Sequence, residues 1–282
     1  FRRVLFRSDG ELPAEILVQF EYGKKTIKKN DKPYPRLLDH IGLIQTVFIT
    51  PYDIELVLGG SEDRRKFIDL SLCQIDATYL KNLSTYKKAL DQRNALLKNM
   101  QGRFIDPDLM GSFDAKLIPT GELIYAKRKS FIEQFLGHFV PIYKELTQGK
   151  ETPGLQYDSH LSEGNFADIL YQNHRIDSAA QRTTMGVHKD ELQFNLDGLP
   201  LKKFGSQGQI KSYIIALKLA QYRYFQSVTQ KCPLLLLDDI FEKIDADRAQ
   251  RLIEMVGEST FGQILITDTH PSRVEKIGRA HV

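Results

Sequence analysis

The stretch "CPLLLLDDIFEKIDADRAQRL", Cys232 to Leu252, sets an apolar run against two aspartates and follows them with an acidic turn that leads into a helix. Four successive leucines, Leu234 to Leu237, predict a strand buried on both faces, as at the centre of a parallel sheet. Asp238 and Asp239 then emerge at its carboxyl end, the edge where ligands of open α/β sheets bind. In a nucleotide site the first carboxylate would hold Mg²⁺ through water, because magnesium keeps part of its hydration shell. The second would orient or deprotonate an attacking water. The usual partner of such a pair, a phosphate-wrapping GxxxxGK[ST] loop, occurs nowhere in the chain. Taken alone, the two aspartates read equally well as a solvated turn that closes a strand.

Working outward, a helix over Asp247–Val256 and a strand over Gln263–Thr267 complete a β-α-β return, the signature of a parallel sheet. Upstream, "FGSQGQ" (Phe204 to Gln209) puts Ser206 at a helix N-terminus, with Gly208 allowing close approach to the backbone. Free N–H groups and the positive end of the helix dipole suit a phosphate there. An ordinary serine cap with Gln209 at the capping-box position is the plainer reading of the same residues. "DELQFNLDGLPLKKF" predicts a strand, an Asp-Gly turn and a second strand. Before it lie two long helical stretches. One spans about Ala77 to Asn99, with Leu80, Leu83, Leu90 and Leu97 on a stripe. The other spans about Phe113 to Leu146, carries Leu117, Ile124, Phe131, Phe135, Phe139, Ile142 and Leu146, and is interrupted early by Pro119 and Gly121. The short link Gly102–Pro107 predicts an antiparallel pair, and the aromatic stripe reads as core. "EILVQFEYGKKTIKKN" predicts a hairpin about a Tyr-Gly turn. "FITPYDIELVLGG" predicts a strand stopped by Pro51, a helical turn and a Gly-Gly break.

The 282 residues are 41% hydrophobic and 27% charged, a balance that suits a globular chain with ample core. Cys73 and Cys232 are too few and too far apart for a disulfide framework or a cysteine metal cluster, which predicts a reducing, cytoplasmic setting. Every apolar run is strand-sized, so no membrane span is expected. A net charge of +3 permits an acidic partner without demanding one. Basic clusters at Lys24–Lys25–Lys28–Lys29, Arg64–Arg65–Lys66, Lys127–Arg128–Lys129 and Lys202–Lys203 would have to converge on one face to neutralise phosphates, and interleaved acids make each a solvated face when read alone. The tails "RVLFRS" (Arg3–Ser8) and "KIGRAHV" (Lys276–Val282) can be encoded as antisense of one another. This predicts adapter read-through at both ends and a natural protein that begins upstream of Asp9.

Order and spacing join the two motifs. A serine-led, glycine-containing turn, one long helix, a strand ending in Asp-Asp and a loop ending in Asp245 resemble the signature motif, Walker B and D-loop of an ABC-type ATPase head. "SQGQ", "GVHKDEL" (Gly186–Leu192), "RRKFIDLSLCQID" (Arg64–Asp76), "YKKALDQRNALLK" (Tyr86–Lys98) and "FITPYDIELVLGG" (Phe48–Gly60) narrow the resemblance to the RecF family of bacterial recombination-repair ATPases, over about Asp9 to Glu275. The resemblance implies an α/β P-loop NTPase fold without its N-terminal part and with an inserted helical lobe. It divides the chain into 9–60 (end of the N-terminal ATPase lobe), 61–230 (helical lobe with the signature) and 231–275 (the rest of the ATPase lobe), with non-native tails at 1–8 and 276–282. Asp238 then takes the Mg²⁺ role and Asp239 the catalytic position, while Asp245 lies on the D-loop. Ser206, Gln207 and Gly208 touch the γ-phosphate of ATP held by another subunit. His270, Thr267 or Thr269 senses that phosphate. Arg64, Arg65 and Lys66 are candidate DNA contacts. The implied protein is a weak DNA-dependent ATPase that dimerises on ATP. It works with RecO- and RecR-type partners at single-stranded or gapped DNA, in recombinational repair and the SOS response. Without a Walker A loop, the chain itself is expected to bind ATP poorly. Alternatives are the head of another SMC-type complex, disfavoured by the short helical pair, and a nucleotide-independent scaffold.

Overall fold

The computed structural model describes residues 2–6, 14–21, 23–100, 107–241, 244–257 and 260–267, in two units, Phe1–Ile44 and Gln45–Val282. In the first unit, strands β1 (Arg2–Phe6), β2 (Ala14–Glu21), β3 (Lys24–Lys29) and β4 (Lys32–Pro33) form an antiparallel meander in that order. The expected hairpin is present, with Gly23 at φ +75° in its turn. Its register pairs Val18 with Ile27 and so puts Ile16 and Ile27 on one face, both buried. Arg2–Phe6, set aside above as part of a tail, pairs along its whole length with β2. Backbone pairing asks only for an extended chain beside a strand edge, which a sequence pattern does not report.

The second unit opens with β5 (Thr46–Ile49), a 3₁₀ turn at Pro51–Ile54 and the short helix α1 (Glu55–Leu58). Thr50 N–H donates to Asp53 Oδ2 at 2.7 Å, which fixes the break that Pro51 begins. Helices α2 (Ser61–Ile75), α3 (Ala77–Met100) and α4 (Pro107–Thr147) follow. The ion pair of Arg93 with Asp114 and the bond of Arg128 to the Tyr79 hydroxyl show that α3 and α4 run antiparallel, as expected. Pro119 and Gly121 do not interrupt α4, which is continuous from 107 to 147 with Pro119 and Pro141 inside it. Thr120 Oγ1 donates to the Lys116 carbonyl at 2.6 Å beside the donor that Pro119 lacks. Gly121 is required by packing instead: a Cβ there would lie 2.5 Å from Phe166 Cε1.

Next come β6 (Pro153–Asp158), α5 (Phe166–Ala180), β7 (Glu191–Leu196), β8 (Leu199–Pro200), α6 (Leu201–Phe204), α7 (Gln207–Thr229), β9 (Leu234–Asp238), α8 (Ala246–Val256) and β10 (Ile264–Thr267). Strands β6, β7 and β8 form one antiparallel sheet, and β7 turns into β8 through Asp197 and Gly198, both at positive φ as an Asp-Gly hairpin demands. β6 falls in a stretch whose polarity hid it, since only Pro153 and Leu155 of its residues are fully buried. The second sheet is parallel, in the order β10-β9-β5. Within it Leu235 and Leu237 are buried while Leu234 and Leu236 are only half-buried, so the central strand alternates where continuous burial was expected. The buried face belongs to the common core, which also takes in α4 and α7. Among the described residues no helix is long and apolar enough to cross a membrane.

Candidate functional site

The parallel register brings the carboxyl ends of β9 and β10 together, with Asp238 opposite Thr267. Thr267 Oγ1 donates to Asp238 Oδ1 at 2.5 Å, and the Asp239 N–H donates to the Thr267 carbonyl at 3.1 Å. The chain then turns sharply, because Asp239 sits at φ +48° in the left-handed region. A non-glycine residue there is uncommon, and aspartate is among the few that tolerate it. The twist carries the Asp239 carboxylate inward, and its Oδ1 is buried with no hydrogen-bond partner among the described residues. Leaving such an acceptor unmet costs about 1–3 kcal/mol.

This donor set of two carboxylates and a hydroxyl is hard-oxygen chemistry that fits Mg²⁺ better than a soft metal. The described residues contain no cluster of three or more acidic, histidine or cysteine ligands. A cation held here would therefore draw on one or two protein oxygens and complete its shell from water and phosphate, which is how magnesium binds. Thr269 and His270, two of the three candidate phosphate sensors, lie outside the described residues; Thr267, the third, is engaged with Asp238.

Ser206 caps α7 in a reciprocal box. Its hydroxyl accepts the Gln209 N–H at 3.2 Å, and its own N–H donates to Gln209 Oε1 at 2.8 Å. The plain capping chemistry is thus fully present. Gln207 is exposed, and a Cβ built at Gly208 meets nothing within 4 Å. No internal packing therefore explains that glycine, whereas at Gly205 a Cβ would lie 2.7 Å from the Leu201 carbonyl oxygen. The open side of Gly208 leaves the first turn of α7 accessible to a group from outside.

Asp245 caps α8, with Oδ1 accepting the Arg248 N–H at 2.9 Å and Oδ2 facing Arg248 Nε at 3.1 Å. The same guanidinium donates to Ser212 Oγ at 2.7 Å, to the Gly208 carbonyl at 3.4 Å and to Glu151 Oε1 at 3.1 Å. Arg248 and Glu151 thus join the Asp245 loop to the Ser206–Gly208 turn, and neither was singled out from the sequence. The only trace available there was the Asp245–Arg248 spacing of a capped helix.

The basic clusters fare differently. Arg64 is turned inward, bidentate on Glu191 at 2.7 and 3.0 Å and bonded to the Leu56 and Gly59 carbonyls. Arg65 donates to the Asp190 carbonyl at 2.7 Å, while Lys66 is an exposed partner of Glu62 at 3.1 Å. The three therefore do not present one cationic face. "GVHKDEL" is a buried knot: His188 joins the Tyr86 hydroxyl and the Thr183 carbonyl, and Asp190 takes Arg128 at 2.7 Å together with the Tyr157 hydroxyl. Burial pushes the Asp190 carboxyl up, against the pull of Arg128.

No protein-family model matches the chain. It is 45% identical over 255 residues to the DNA replication and repair protein RecF of Flavobacterium johnsoniae, an alignment covering 90% of this chain and 71% of that protein. The protein of the same name from Bacteroides thetaiotaomicron is 42% identical over 273 residues, covering 96% and 73%. Among solved structures, the recombination mediator protein RecF with ATP superposes with a TM-score of 0.84 at 26% identity, covering 95% of this chain and 74% of that one. An Smc head domain from Pyrococcus furiosus, at TM-score 0.50 and 15% identity, shares the fold of an ATPase head.

Proposed function

This chain belongs to the RecF family, and on that premise we propose that it forms part of a DNA replication and repair ATPase whose nucleotide site is composed between two copies. Asp238, steadied by the Thr267 hydroxyl, would hold Mg²⁺ through water, and a metal there would supply charge neutralisation at the phosphate. Asp239 orients the attacking water and accepts its proton. Ser206, Gln207 and Gly208 meet the γ-phosphate of ATP bound by the other copy, with Gln207 and Gly208 offering backbone N–H groups, and Asp245 lies on the face turned to that copy. His270, or Thr267 or Thr269, senses the γ-phosphate. The lobes are 9–60 with 231–275, and 61–230. Hydrolysis opens the dimer and so sets its residence on DNA.

One observation carries this reading: at the carboxyl end of β9, next in sequence to the Thr267-bound Asp238, a left-handed aspartate has a buried carboxylate oxygen with no hydrogen-bond partner among the described residues. A solvated turn needs neither the strain nor the orphaned acceptor. The wider role follows the solved relatives, described as a recombination mediator of the RecFOR pathway and bound to ATP or ATPrS. On that basis the protein binds gapped or single-stranded DNA in the cytoplasm, with RecO- and RecR-type partners.

The phosphate-wrapping GxxxxGK[ST] loop is not among the chain's residues, so the chain by itself binds Mg·ATP weakly. Recovering the natural coding sequence upstream of Asp9 tests the proposal. A Walker A loop in frame, with ATP hydrolysis by the joined chain that falls about 100-fold in Asp239→Asn while ATP binding persists, is the expected result. An authentic start near Asp9, or tight Mg·ATP binding by the 282 residues alone, overturns it.

A further inference from the structure

Arg248 stands where three segments far apart in sequence converge. It is 18% exposed and faces Asp245 on its own helix, Ser212 and the Gly208 carbonyl on α7, and Glu151 between α4 and β6. Glu151 continues the path. Its Oε1 also accepts Gln209 Nε2 at 3.3 Å, and its Oε2 accepts the Tyr143 hydroxyl at 2.5 Å. Gln209 is in turn the residue whose Oε1 holds the Ser206 N–H. A continuous path, an ion pair followed by hydrogen bonds, therefore runs from Asp245 through Arg248, Glu151 and Gln209 to Ser206.

Neither cap requires that path. Asp245 Oδ1 already caps α8 and Ser206 Oγ already caps α7. Asp245 spends its second oxygen on the Arg248 guanidinium, which itself reaches α7 and Glu151, and Gln209 spends its amide nitrogen on a link that leaves its own helix. A guanidinium is the group suited to the junction, because its planar fork serves several acceptors at fixed angles and stays charged. A lysine ammonium in its place has no planar fork to hold all three segments. Partial burial shields the pairs from salt screening.

We propose that Arg248 is a positioning residue that locks the Asp245 loop to the Ser206–Gly208 turn, so that one chain presents both to a second copy as a single rigid surface. The inference rests on the composite-site reading for its purpose. The lock itself is a property of one chain and is tested without nucleotide.

The experiment is amide hydrogen exchange on the 282-residue chain. Arg248→Leu is expected to speed exchange at Ser206 and Gln209 roughly fivefold, the factor given by losing one ordinary hydrogen bond. Arg248→Lys does not restore the slow rate. Asp245→Ala alone also speeds exchange at Ser206 and Gln209. Added to Arg248→Leu it changes nothing further at those amides, because the polar links between the two sites, among the described residues, all pass through Arg248. Exchange in the core of α3 and α4 stays at its wild-type rate in all variants. Glu151→Gln, which keeps the side-chain shape, reproduces the faster exchange at Ser206 should Arg248→Leu fail to fold. Unchanged exchange at Ser206 and Gln209 in both Arg248→Leu and Glu151→Gln overturns the proposal, as does strict additivity of the Asp245 and Arg248 effects. Failure here leaves the nucleotide reading standing, and failure of that reading leaves the lock.

Discussion

Asp239 and His188 show how much one residue's surroundings decide. Asp239 is one of two adjacent aspartates, yet its φ of +48° turns its carboxylate to a different environment from that of Asp238. One residue type therefore sits in two surroundings, with Asp238 partnered by Thr267 and Asp239 left with an orphan oxygen among the described residues. His188 is pushed down to about 4 from 6.5, chiefly by burial, with Lys189 and Arg65 adding to the shift and the Thr183 carbonyl opposing it. Its ring is therefore neutral in the fold, whereas in the unfolded chain it takes up a proton near its ordinary value. The unfolded state binds more protons between about 6.5 and about 4, so His188 subtracts stability progressively as pH falls through that window. Urea unfolding midpoints measured from pH 7 to pH 5 are expected to drop less steeply in His188→Gln than in the parent. Parallel curves would sink the assignment. The motif containing His188 was legible in the sequence, but its role as a buried knot was not, because Tyr86 lies 102 residues away.

Helix α4 carries the lesson at the scale of elements. Its apolar stripe was legible: Leu117, Ile124, Phe131, Phe135, Phe139 and Leu146 are all buried, with Ile142 partly so. Its continuity was not, since Pro119 and Gly121 are local breakers and local rules end a helix there. Tertiary packing overrides them. Phe166 at the start of α5 and Tyr86 on α3 lie so close that only a glycine fits: a Cβ at position 121 would stand 2.5 Å from Phe166 Cε1 and 3.2 Å from Tyr86 Cε2. Gly121→Ala is therefore expected to destabilise by about 1–3 kcal/mol, although alanine is the better helix former. Phe166→Leu in the same chain is expected to recover part of the loss by giving the new methyl room. Chemical denaturation of the two single variants and the double variant measures this. A stabilising Gly121→Ala would show that propensity outweighs the contact.

For the whole molecule, charge is spread rather than concentrated. The net charge of +3 hides two kinds of basic residue. Arg64, Arg93 and Arg128 are spent inside the fold, on Glu191, on Asp114 and Asp177, and on Asp69 and Asp190. Lys25, Lys28, Lys29 and Lys32 of the N-terminal meander have no carboxylate partner among the described residues. DNA binding, proposed above from kinship, is then expected to depend on the meander and not on Arg64. In salt titrations with a gapped duplex, the triple change Lys25→Glu, Lys28→Glu, Lys29→Glu should flatten the log–log slope by about 2–3. Arg64→Ala should lower the unfolding midpoint and leave that slope alone. The reverse pattern would restore Arg64 as a contact. What the sequence determined by itself is the order of parts: a strand ending in two carboxylates, a capped turn before a long buried helix, a helical pair between two sheets, and through these the family. Those features are local, set by alternation, helical period and cap spacing within a few residues. Only the tertiary structure decided which basic groups are free, that Asp239 turns inward, and that Arg248 reaches Glu151 across 97 residues of chain. Such partnerships form where packed elements happen to meet, and no window of sequence contains both partners.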